Sequence, residues 1–221
     1  MDDPAAEMRR VWRGLAGACC DAVLDDLLER HAEAHRHYHT ATHVMWVLRH
    51  VDDLVANDAA GRLLTAQERD DVRAAALFHD AVYDPRSSSN ERDSASLATA
   101  QLTGIGWSPA RCLRVADLID ATAGHAPRST VEAVLLDADL AILGAIADEY
   151  RVYVAAVREE YAHVDASAWR TGRAQVLKGF LGRPRLYATA RMFELRELRA
   201  RDNLAAELGV LEHAGRAGSG A

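Results

Sequence analysis

The chain has 221 residues, 49% hydrophobic and 27% charged, with a formal net charge of −7. That length allows one substantial core or two small ones, and the composition is ordinary for a soluble globular protein. The acidic balance argues against general affinity for nucleic-acid polymers or anionic membranes, no apolar run reaches the roughly 18 residues of a membrane span, and MDDPAAEMRR lacks the basic-then-apolar order of a signal peptide, so a cytoplasmic protein is expected.

The pattern is helical nearly throughout. Val11, Trp12 and Leu15, then Val23, Leu24, Leu27 and Leu28, follow the i, i+3, i+4 spacing of a buried helix face. A helix is expected to start near Thr40 and to run through Val44, Val47, Leu48 and Val51. Thr65-x-x-Glu68 is a capping box that opens another, whose inward stripe Val72, Ala75, Ala76 includes His79. Residues 83–90 form a polar break containing Pro85, after which Asn90 can cap a helix ending near Gly104. Ser108-Pro109 reads as an N-cap with a first-turn proline. Ser129-x-x-Glu132 reads as a second capping box, and two helices beyond residue 161 part near Gly182–Pro184. No alternating strand pattern, internal repeat or linker is visible. The expectation is an all-α fold, one compact domain of about eight helices over residues 1–214, with a disordered Gly/Ala/Ser tail over 215–221.

The three cysteines form no CxxC, and the adjacent pair Cys19–Cys20 cannot close an ordinary disulfide, so buried reduced thiols are expected. All but one of the 26 basic residues are arginine, the exception being Lys178. Arginine suits bidentate phosphate binding.

The histidines carry more information. His31, His35, His39 and His43 recur every four residues, and His31 and His35 read as a solvated stripe. His39 and His43 stand at a spacing that lets two imidazoles meet one site. His79-Asp80 closes the apolar stretch AAALF, where a buried ionisable pair needs a partner or a metal. Asp137 and Asp139 lie in LLDADLAILG. Asp139 shares a helical face with Leu135, Ala138 and Ile142, whereas Asp137 is turned about 200° away, so Asp139 is the better inward carboxylate. Two imidazoles and two carboxylates suit a divalent Mn, Fe, Co, Ni or Zn ion.

The segments YHTATH at 38–43, ALFHDAVYD at 76–84 and LLDADLAILG at 135–144 resemble the HD superfamily of metal-dependent phosphohydrolases. Asn90-Glu91, VREEY at 157–161, GRAQVLKGFLGRPRLYAT at 172–189 and ARDNLAAEL at 200–208 extend the resemblance to one bacterial branch, over most of residues 36–208. The resemblance implies an HD-type all-α fold around a central metal held by His43, His79, Asp80 and Asp139. The implied activity is hydrolysis of a phosphoester in a nucleotide or similar small metabolite by metal-activated water, with Asp80 bridging to a second ion or orienting the nucleophile. His39 or Glu91 would handle the leaving-group proton. The YHxxxH-like segment is similar to one in cyclic-nucleotide phosphodiesterases, where the first His is the general acid. Candidate phosphate ligands are Arg158 first, then Arg86, Arg92, Arg173 and Arg185. His125, the one histidine between Asp80 and Asp139, is expected near the site. Dinuclear HD proteins place more histidines there, so one tight ion is expected, with a second, weaker Mg or Mn ion carried by carboxylates. A di-iron oxygenase of the HD fold and a non-catalytic metal or nucleotide sensor are the alternatives.

Overall fold

The computed structural model describes residues 3–57 and 64–218, with side chains to residue 213. Among these residues there are ten α-helices, two short 3-10 segments and no strand, so the all-α expectation holds, with more helices than the eight expected. By its internal contacts the chain divides into two compact units, Met1–Asp139 and Leu140–Ala221. The boundary falls inside the apolar run LLDADLAILG, which has no linker composition.

In the first unit, α1 (Pro4–Ala16) is capped by Asp3, whose carboxylate accepts from the Ala5 and Ala6 amides. The chain then turns at Gly17, whose φ of 79° suits a residue without Cβ. That turn, followed by a 3-10 segment Ala18–Cys20, separates α1 from α2 (Asp21–His31). Residues 32–40 are irregular before α3 (Ala41–Ala56), so the four spaced histidines do not share one helix. Helix α4 (Ala66–Phe78) opens on the expected capping box, in which the Glu68 amide donates to Thr65 Oγ1 and the Thr65 amide to Glu68. Such a cap contributes about 1 kcal/mol.

Helices α5 (Asn90–Gly104), α6 (Pro109–Thr122) and α7 (Thr130–Asp139) complete the unit. Asn90 begins α5 rather than capping it, and its amide group brackets the Asp84 backbone from both sides. At the start of α7 the Glu132 amide donates to Ser129 Oγ as expected, but the Glu132 carboxylate accepts from the Arg128 amide, one residue earlier than a full capping box requires. Helices α3, α4 and α7 pack on one another. Trp12 and Phe78 meet edge to face at 6.2 Å, and Leu24, Leu27, Leu48, Leu77 and Leu135 are fully buried. Burial of each such side chain contributes roughly 1.5–3 kcal/mol.

The second unit holds a 3-10 segment (Leu140–Gly144), α8 (Ala147–Glu160), α9 (Ala166–Leu181) and α10 (Ala190–Gly218). Helix α10 grips the 3-10 segment by its carbonyls: Arg196 donates to Ala141 and Gly144, and Asn203 to Leu143 and Ala145. Gly144 permits this approach, because a Cβ there would stand 2.6 Å from Arg196 Cβ. Of the tail expected over 215–221, residues 215–218 belong to α10 and 219–221 lie outside the described residues. No described helix is long and apolar enough to cross a membrane.

The cysteines depart from expectation. Cys112 is buried, but Cys19 is exposed and Cys20 half-buried, their sulfurs 3.4 Å apart. The turn at Gly17 puts this pair at a corner rather than on a core face.

Candidate metal centre

Three helices and one turn deliver the site. His43 lies in the first turn of α3, His79 ends α4, Asp80 is the first residue of the turn after it, and Asp139 is the last residue of α7. The turn is held from α5, where buried Ser94 accepts from the Val82 amide and donates to the Val82 carbonyl. Adjacent residues on a helix diverge by about 100°. His79 and Asp80 can meet at one place because the helix ends between them.

Three donor atoms, from His43, His79 and Asp139, converge, and Asp80 stands beside the two imidazoles. His43 Nε2 and His79 Nε2 are 3.0 Å apart. Asp80 Oδ2 lies 3.0 Å from His79 Nε2 and 3.3 Å from His43 Nε2. Asp139 Oδ1 lies 3.2 Å from His43 Nε2 and 3.6 Å from His79 Nε2. Nitrogen and oxygen ligands about 2.0–2.2 Å from one ion stand roughly 3.0–3.5 Å from each other. The separations among His43, His79 and Asp139, 3.0–3.6 Å, are close to that spacing. His79 Nδ1 is 2.9 Å from the Ala76 carbonyl, which can only accept, so Nδ1 carries the hydrogen and Nε2 presents a lone pair to the cluster. The buried group of His43, His79 and Asp139 can therefore hold a metal ion. Asp80 stands against both of its imidazoles.

The electrostatics agree. Burial works against a charged His79, yet the Asp80 charge and hydrogen bonds to Asp139 and Asp80 reverse this and hold its pKa well above the usual histidine value. His43 is raised in the same way, burial opposing and Asp139 and Asp80 prevailing. Burial would push Asp80 up, but the positive charges of His79 and His39 and hydrogen bonds from His43 and His79 hold it well below the carboxylate range. Asp139 is likewise lowered against burial, by hydrogen bonds from His125, His43 and His79. Two carboxylates set against two imidazoles make a negative pocket whose charge a divalent cation would balance.

His125 is brought to the site. Its Nε2 lies 2.9 Å from Asp139 Oδ2, the oxygen turned away from the two imidazoles. Its φ of 45° is the one positive value among described non-glycine residues, so a strained backbone carries this contact. His39 precedes α3 and stacks 4.1 Å from the Tyr83 ring, with its ring 5.8 Å from that of His43. Glu91 sits in the first turn of α5, and no hydrogen bond or ion pair joins it to the cluster.

The five candidate arginines divide. Arg86 and Arg92 are exposed, and no ion pair or side-chain hydrogen bond engages either guanidinium among the described residues. Arg158, Arg173 and Arg185 belong to the second unit, where its own groups engage them. Arg158 donates to the Tyr161 and Val164 carbonyls, closing the end of α8, and lies over Trp169. Arg173 pairs with Glu207, and Arg185 stacks 4.0 Å from the Phe193 ring.

Two residues, His31 and Arg36, escaped the sequence reading, while His35 is exposed as expected. His31 is buried rather than solvated, because it closes α2 against the irregular segment, with Nδ1 3.4 Å from the His39 carbonyl. His35 has its Nε2 2.8 Å from the Tyr83 carbonyl. Arg36, two residues before Tyr38, has a wholly buried side chain among carbonyls of the site-bearing turns. Its place next to YHTATH was the one available signal. Comparisons with protein-family models, curated proteins and solved structures gave no match to this chain.

Proposed function

We propose that this protein is a metal-dependent hydrolase of a phosphoester in a nucleotide or other small phosphorylated metabolite, built on an HD-type domain. The observation that carries this reading is the lopsided burial of the three converging donors and of Asp80 beside them. The His43 and His79 side chains are 4% and 1% exposed, whereas Asp80 and Asp139 are 18% and 13% exposed. An ion held there is closed in by the imidazoles and open on the carboxylate side, as a catalytic rather than structural centre requires. The ordered HD-like motifs of the sequence supply the phosphoester class.

A divalent ion bound by His43, His79, Asp80 and Asp139 would supply Lewis acidity and lower the pKa of water at the site. Asp80, on the open side, orients the nucleophile by accepting its hydrogen. His39, close enough for its charge to act on Asp80, serves the leaving-group proton. Arg86 and Arg92, on the segment that follows the His79-Asp80 turn, offer free guanidiniums to the phosphoryl oxygens.

The test is direct. Purified protein is assayed for metal content and screened against phosphorylated metabolites with Mn, Co, Ni and Mg. Phosphate release that vanishes in Asp80→Ala supports the reading. Tight metal binding with no turnover of any phosphoester sinks it and favours a sensor or an oxygenase.

A further inference from the structure

Arg36 lies in the irregular segment between α2 and α3, and its side chain is 0% exposed. A buried guanidinium is strongly unfavourable unless its donors are satisfied. Here four contacts satisfy them. Nε donates to Glu33 Oε2 at 2.9 Å, Nη1 to the Asp80 carbonyl at 2.6 Å and the His39 carbonyl at 3.2 Å, and Nη2 to the Ala81 carbonyl at 3.1 Å. The guanidinium carbon stands 5.5 Å from the centre of the Tyr83 ring, the same ring that stacks on His39.

The acceptors identify what Arg36 does. Only Glu33 is charged, and it is 41% exposed, so neutralising a buried acid is not the purpose. The other three are backbone carbonyls from two segments about 40 residues apart in sequence, one ending in His39 and the other containing Asp80. Nη1 bridges the two segments while Nη2 and Nε fix the plane of the guanidinium on Ala81 and Glu33, a three-nitrogen hold that a single lysine ammonium cannot reproduce. His31 Nδ1 approaches the same His39 carbonyl from α2.

We propose that Arg36 is a positioning residue, fixing His39 and Asp80 relative to each other through their backbones. It touches no ligand atom of the cluster. The proposal rests on the metal-site reading above, and the experiment separates the two.

Cobalt(II) is titrated into wild type, Arg36→Lys and Arg36→Ala, following visible absorption, and kinetics are measured on whichever phosphoester the wild type hydrolyses. Arg36→Lys keeps charge and length and loses the fork. It is expected to fold, to bind cobalt at least about tenfold more weakly with a changed absorption band, and to lose kcat with KM within about threefold. Guanidinium at non-denaturing concentration restores the band and kcat of Arg36→Ala. If Arg36→Ala does not fold, Glu33→Gln, which loosens the exposed end of the same guanidinium, shifts cobalt affinity in the same direction by a smaller factor. Arg36→Lys with wild-type affinity, spectrum and kcat overturns the proposal. If the wild type binds cobalt but hydrolyses nothing, the phosphohydrolase reading falls and the cobalt measurements alone decide Arg36. A wild type that takes up no cobalt overturns both.

Discussion

The Nε2 atoms of His43 and His79 face each other at 3.0 Å, and Asp80 Oδ2 stands within 3.3 Å of both. Without a cation, that triangle is held together by protons. Both imidazoles have pKa values raised above the histidine norm, for burial is overcome by Asp80 and Asp139. A metal must displace those protons. Metal affinity is therefore expected to climb as pH rises from about 6.5 through the raised values. In the metal-free protein, the stability these pairs contribute is complete below the ordinary histidine pKa and disappears as pH rises through the raised ones. Calorimetry in buffers of different ionisation enthalpy should show protons released as the ion binds. Release of none would contradict the assignment.

Asp139 and Asp137 are both largely buried, but only Asp139 joins the two histidines. Asp139→Asn is expected to weaken metal binding by about 100-fold or more, since a direct ligand matters at least as much as its outer partners. Asp137→Asn should leave metal affinity within about threefold and lower the melting temperature instead, because it disturbs a buried polar group. A dye-displacement titration of the two variants decides between them. Equal losses in both would remove Asp139 from its special place.

His125 sets up two opposing effects. Its Nε2 contacts Asp139 Oδ2 while Asp139 Oδ1 faces the imidazoles, and its φ of 45° costs about 1–3 kcal/mol in a non-glycine residue. His125→Gly relieves the backbone and loses the contact. Unfolding of the metal-free variant is expected to show equal or higher stability, while its metal affinity falls about 10–100-fold. A variant that loses stability and keeps its metal would mean that the contact, not the site, is what the strain serves.

Helical spacing was enough to find the helices; it also picked Asp139, which joins the histidines, although Asp137, expected to turn away, is the more buried of the two. A helix face is a local property, and period 3.6 exposes it directly. The His79-Asp80 pair was legible for a similar reason, since an acidic residue closing AAALF needs a partner. His31 was misread because four-residue spacing implies one stripe only if the helix continues, and α2 stops at His31. Arg158 was put first for its place in VREEY between tyrosines, but position in the sequence cannot show that Trp169, Glu207 and Phe193 lie against Arg158, Arg173 and Arg185. Arg36 was missed because its partners are carbonyls, and carbonyls leave no mark in a sequence.

His31 makes a pH-dependent contribution of its own. Burial, and then the neighbouring Arg36 charge, push its pKa down to about 3. Its Nε2 is buried with no hydrogen-bond partner. The unfolded chain binds a proton there near pH 6.5 and the folded chain does not until about pH 3. Stability is thus complete above pH 6.5 and falls as pH drops through that window, by about 5 kcal/mol at its acid end. Urea unfolding of wild type and His31→Leu at pH 7 and pH 4.5 isolates this share. The variant should lose less stability on acidification than the wild type, and an identical loss would refute the account.

In the second unit, Arg173 and Glu207 form a buried bidentate pair, with Nε–Oε1 at 2.7 Å and Nη2–Oε2 at 3.0 Å. Tyr150 donates to the same carboxylate at 2.6 Å, and Arg173 also donates to the Tyr153 hydroxyl. The two charged side chains are 9% and 7% exposed, so removing one strands the other away from water. Arg173→Ala is expected to cost about 3–5 kcal/mol of stability, because Glu207 remains as an uncompensated buried charge. Replacing both, as Arg173→Met with Glu207→Leu, should recover most of that loss, although Tyr150 then lacks its acceptor and keeps a penalty of about 1–3 kcal/mol. Denaturant unfolding of the single and double variants measures the coupling. Had Arg173 been a phosphate ligand with no structural duty, Arg173→Ala would raise KM at unchanged stability. The expected pattern is the reverse, a large stability loss that the double variant repairs.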